Sequence, residues 1–86
     1  MKISDLDWKP YPVGIGGERA VVKFPNGYGA SVLRGGPFYT DGGTFEIGVT
    51  AEGGSLTYET PITDGVLGYQ TEAEANQVLA DIEALT

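Results

Sequence analysis

The stretch from Arg19 to Arg34 constrains this chain more than any other: Arg19-Ala20-Val21-Val22-Lys23-Phe24, then Pro25-Asn26-Gly27, then Tyr28-Gly29-Ala30-Ser31-Val32-Leu33-Arg34. β-Forming residues flank a turn in which proline presets φ, asparagine tolerates the second central position and glycine can adopt the left-handed conformation. That chemistry specifies a three-residue hairpin with a bulge. Pairing Phe24 with Tyr28 sets Val22 opposite Ala30 and Ala20 opposite Val32, so one face is apolar, while Lys23, Ser31 and Arg19 fall mostly on the other.

A second hairpin is expected over residues 44–60. Thr44 to Ala51 alternates, with Phe45, Ile47, Val49 and Ala51 on one side and Thr44, Glu46, Gly48 and Thr50 on the other. Glu52-Gly53-Gly54-Ser55 reads as its turn and Leu56 to Thr60 as its return strand, with Leu56 opposite Ala51 and Tyr58 opposite Val49. Glu46 and Glu59 then share the solvent face. Residues 1–18 contain Pro10, Pro12, Gly14, Gly16 and Gly17 and read as an irregular arm, pinned by Ile3, Leu6, Trp8 and Tyr11. Residues 35–43 hold four glycines and a proline and read as a loop displaying Phe38 and Tyr39.

A helix is predicted over 72–85. Thr71-Glu72-Ala73-Glu74 is a capping box, and Ala75, Val78, Leu79, Ile82 and Leu85 follow at helical spacing as one apolar stripe that can cover a sheet. The expected fold class is therefore α+β: an antiparallel four-stranded sheet of two hairpins packed by one C-terminal helix, ββββα, as a single domain of 86 residues.

The composition removes most enzyme chemistry. With neither cysteine nor histidine, the chain has no disulfide framework, no zinc site of the usual kind, no thiol nucleophile and no histidine-based triad. Gly14-Ile15-Gly16-Gly17 has no strand before it and no helix after it, so it is not a phosphate loop. Asp5-x-Asp7 and Asp41-Gly42-Gly43 lack the spacing of a calcium loop and read as solvated turn acids, so no metal or cofactor is expected. Glu46 and Glu59 are the best carboxylate pair for acid and base work, but an exposed sheet face offers no pocket to separate their pKa values. The expectation is a protein that is not an enzyme. The first residues, MKISDLDWKP, contain no apolar run of signal-peptide length and nothing later reaches transmembrane length, which points to the cytoplasm and no membrane partner.

Five basic and twelve acidic residues give a net charge of -7, which argues against a nucleic-acid partner. All five basic residues lie within the first 34 positions, against three acidic ones, so this part is +2; from Gly35 onward there are nine acids and no base, -9. Surplus acid keeps a small domain soluble. It can also form a face for a basic partner.

The string Phe24 to Val32, then Phe45-Glu46-Ile47, then Tyr58-Glu59-Thr60-Pro61-Ile62-Thr63-Asp64-Gly65-Val66-Leu67-Gly68-Tyr69, resembles a pattern in small uncharacterised proteins encoded by bacteriophages and prophages. The match runs from about Phe24 to the helix. Phage proteins of this size and acidity include inhibitors of host defence systems and nucleic-acid mimics, and the resemblance carries no site residues with it. Combined with the charge split, it implies an acidic binding module acting in the host cytoplasm on a host protein with a basic surface. Glu46, Glu59, Glu72, Glu74, Asp81 and Glu83 are the expected contacts, with Phe38 and Tyr39 as aromatic anchors. Two alternatives stand beside it: a small self-associating structural module, monomer or homodimer being left open, and a nucleotide-signal sponge using Arg19, Lys23 and Arg34.

Overall fold

A computed structural model describes residues 1–11, 16–35, 43–51, 55–57, 60–62 and 66–85. The Pro25-Asn26-Gly27 turn joins strands β2 (Glu18–Lys23) and β3 (Gly29–Arg34), with Gly27 at φ +89° and the Phe24 N–H donating to the Tyr28 carbonyl at 2.8 Å. Val22 faces Ala30 and Ala20 faces Val32. On the other side of β3, strand β4 (Phe45–Thr50) sets Val49 beside Ala30 and Ile47 beside Val32. One sheet face is thus lined by Ala20, Phe24, Ala30, Val32, Phe45, Ile47 and Val49, all buried. Helix α1 (Glu72–Glu83) lays Ala75, Leu79 and Ile82 on this face, packing against β3 and β4.

The sheet has five strands rather than the four expected, in the order β1-β2-β3-β4-β5, antiparallel throughout. The first addition is β1 (Lys9–Pro10), inside the arm expected to be irregular, pairing Lys9 with Arg19 and Pro10 with Glu18. Proline is admissible because β1 is an edge, and a two-residue edge bearing proline and lysine resists pairing with other chains. The arm is fastened by a 3-10 turn at Ile3–Asp5, where the Ile3 N–H donates to Asn76 Oδ1 of α1 at 2.7 Å, and by Trp8, whose ring centroid is 5.9 Å from that of Phe45.

The second addition is β5 (Val66–Gln70), and it corrects the expected second hairpin. The N-terminal part of β4 pairs with β5, Gly48 with Val66 and Ile47 with Leu67. Residues 55–57 meet only the other end of β4, through a bridge between Thr50 and Leu56. The Ala51 N–H donates to the Ser55 carbonyl at 2.8 Å, so the register is one residue tighter than expected and Leu56 opposes Thr50, not Ala51. A one-residue slip reverses the face of a side chain. Leu56 therefore lies over Gly48 on the face away from the helix, 45% exposed. Residues 52–54, Tyr58 and Glu59 lie outside the described residues.

Candidate functional site

The capping box forms as its sequence dictates: the Glu74 N–H donates to Thr71 Oγ1 at 3.2 Å and the Thr71 N–H to Glu74 Oε1 at 3.0 Å. These bonds, the backbone one foremost, hold the Glu74 carboxyl below its ordinary pKa. With the apolar stripe turned inward, Glu72, Glu74, Asp81 and Glu83 are all exposed. At about 100° per residue, Glu72 and Glu83 fall on one flank of α1 and Glu74 and Asp81 on the other. Ala73, Gln77, Ala80 and Ala84 form the crest between them, all four exposed. Asp81 accepts from the Gln77 amide at 2.9 Å, and Glu83 lies 3.3 Å from the Met1 ammonium.

Glu46 is not part of that surface. It alternates with Phe45 and Ile47, which face the helix, so its carboxylate emerges on the opposite side of the sheet among Leu33, Leu56 and Val66. Burial there pushes its pKa above the usual carboxylate value. The structure thus gathers the four helix acids on one side of the molecule and leaves Glu46 on the other. Phe38, Tyr39 and Glu59 lie outside the described residues.

The three cations considered for phosphate binding are divided in the same way. Arg19 and Lys23 project from the uncovered sheet face, Arg19 with its guanidinium 5.6 Å from the Tyr11 ring centroid. Arg34 belongs to the other face, stacked 4.0 Å from the Trp8 centroid, with Nε and Nη2 both 2.9 Å from Glu18 Oε1. It lines a depression of about 510 Å³ with Gly17, Gly35, Gly43 and Phe45, where Glu18 neutralises it.

What sequence reasoning missed is the uncovered face itself. Depressions of about 310, 310 and 170 Å³ follow one another across it, from Lys9 and Arg19 past Val21 and Leu33 to Leu56 and Val66. Val21 is 54% exposed and Val66 39%. A signal was present: Val21 and Leu33 break the alternation, so this face was never purely polar. Tyr69 is also exposed, in a left-handed backbone conformation at φ 55°, within β5.

Among the described residues no three acidic side chains converge in a way that could hold a metal ion, and no helix is long and apolar enough to cross a membrane. The chain matches no family model, and comparisons with curated proteins and with solved structures found no similar protein.

Proposed function

We propose that the protein is a non-enzymatic binding module whose acidic helix side engages a basic surface of another protein. The observation that carries this reading is the charge of α1. It bears Glu72, Glu74, Asp81 and Glu83 and no basic residue; Glu83 meets the Met1 ammonium at 3.3 Å, while Asp81, in the last turn, has a neutral amide as its hydrogen-bond donor and no cation beside it on the helix. Glu72 and Glu74 at the N-terminal end are favoured by the helix dipole, whereas an acid in the last turn is disfavoured by about 0.3–1 kcal/mol, a cost that the Met1 ammonium offsets for Glu83 and that no cation on the helix offsets for Asp81. Residues that oppose a local rule without a stabilising return mark a requirement other than folding. The four carboxylates raise the association rate with a positively charged cleft by electrostatic steering. A nucleic-acid-binding protein of a host defence system presents such a cleft, and a phage-encoded inhibitor that takes the place of phosphates there is the most specific form of the proposal.

Binding to a captured host protein should weaken steeply as salt rises to about 1 M, where the Debye length is about 3 Å. The variant Glu72→Gln/Glu74→Gln/Asp81→Asn/Glu83→Gln should lose the same partner at low salt. A complex that survives high salt, or that the neutralised variant forms with unchanged affinity, overturns the reading.

A further inference from the structure

Among the described residues none covers the sheet face opposite α1, and the composition of that face is unlike that of a solvated one. Val21, Leu56 and Val66 are 54%, 45% and 39% exposed, on strands or bridge positions that bring them to one side, with Leu33 half-buried between them. An antiparallel sheet can leave one face in water, but that face is ordinarily polar. Contiguous apolar surface rimmed by charge marks a contact site. The rim is cationic on the β1 and β2 side, where Lys9, Arg19 and Lys23 line up and Asp7 pairs with Lys9 at 3.7 Å; Glu46 stands on the same face but beside Leu33 and Val66, away from those cations.

The opposite side of the same molecule supplies the complement. The crest of α1 is Ala73, Gln77, Ala80 and Ala84, low enough to approach a sheet closely, and acids flank it on both sides. Joining two uncovered faces to each other would leave the α1 acids without cationic partners, whereas joining face to crest pairs them. We infer that the uncovered face of one copy receives the acidic α1 crest of a second copy, head to tail. Such a contact uses different surfaces on the two partners, so it does not close after two copies but repeats. It goes beyond the function proposed above, and it shares the helix acids with that reading without depending on it.

Sedimentation velocity of the full chain at about 0.01 M ionic strength, where the Debye length is about 30 Å, should show a mass that rises continuously with concentration and returns to monomer at high salt. Two charge variants then separate the halves of the contact. Arg19→Ser/Lys23→Ser removes the cations of the sheet face without making it a partner for introduced lysines, and leaves the helix intact. Asp81→Lys/Glu83→Lys spoils the crest; it gives up the exposed Met1–Glu83 pair and places cations at the helix C-terminus, where the dipole favours them, and circular dichroism checks that the fold is retained. Each variant alone should remain monomeric, and an equimolar mixture should form a discrete species of twice the monomer mass that grows no further. A wild-type chain that stays monomeric across the series overturns the inference. So does an Asp81→Lys/Glu83→Lys variant that associates as the wild type does, or a mixture that yields no heterodimer.

Discussion

Substitution of Asn26 probes a contact that joins the hairpin turn to the far end of the chain. Its Nδ2 lies 2.9 Å from the Ile82 carbonyl, 3.1 Å from that of Glu83 and 2.9 Å from that of Leu85, while Oδ1 accepts the Tyr28 N–H at 3.0 Å. The Ile82 and Glu83 carbonyls belong to the last turn of α1, where i+4 partners run out, and Leu85 lies just beyond it; the Ile82 carbonyl also accepts from the Leu85 N–H at 3.1 Å. The side chain is thus the cap of α1, supplied from 56 residues away for Ile82. Asn26→Ala removes two donated protons and one accepted bond, each contributing about 0.5–1.5 kcal/mol net; with water able to reach the exposed Glu83 carbonyl, the expected loss is about 2 kcal/mol.

Asn26→Asp is the sharper test. It preserves the shape and the acceptor for Tyr28 but sets a carboxylate against three carbonyls at the negative end of the dipole. The expected loss at pH 7 is about 3 kcal/mol. The introduced carboxyl has a raised pKa in the folded state, so its penalty is fully present above that pKa and is relieved as pH falls through it. Neither variant disturbs a left-handed residue, since Tyr69 is the one described non-glycine residue with positive φ. Urea unfolding followed by Trp8 fluorescence measures the effect as a lower midpoint at unchanged slope. For a chain of 86 residues, about 2 kcal/mol is a fall of roughly 8–16 °C in Tm. An Asn26→Asp variant as stable at pH 7 as the wild type, or more stable than Asn26→Ala, would refute the capping role.

Gly29→Ala should cost about 2 kcal/mol in thermal unfolding, because its Cβ would meet the Val22 carbonyl and lie 2.7 Å from Thr50 Oγ1 and 3.2 Å from Lys23 Cα; an unchanged Tm would show that the strand can shift freely. Glu46 has a folded pKa raised above its ordinary 4.5, so the native state holds the proton longer and stability declines as pH rises from about 4.5 through the raised value. Glu46→Gln should lack that decline, and parallel pH profiles for the two proteins would contradict it. Thr71→Ala should lose about 1 kcal/mol with the helix cap, read as a lower urea midpoint. Glu74 behaves oppositely to Glu46: its lowered pKa contributes stability above 4.5 that is lost as pH falls through the lowered value, and Glu74→Gln should flatten the profile there.

The sequence by itself determined the elements whose information is local. Pro25-Asn26-Gly27 carries the turn and, through it, the register of Val22 on Ala30. Thr71 and Glu74 carry the start of α1, and the spacing of Ala75, Leu79 and Ile82 carries its buried stripe. Even the separation of Glu46 from the helix acids was latent, because alternation set Glu46 opposite Phe45 and Ile47, the side chains the helix covers. Only the tertiary structure decided what joins the outer edge of β4. Residues 55–57 and Val66–Gln70 both compete for it, and the winner along most of its length is β5, which leaves Leu56 stranded on the uncovered face. Likewise Pro10 enters the sheet because an outer edge needs no N–H from it, and Asn26 becomes a helix cap because the fold brings Ile82 to its turn. The physical reason is range: turn and capping chemistry act within a few residues, whereas edge pairing, face burial and a cap borrowed from a distant loop depend on which segments the hydrophobic core has already brought together.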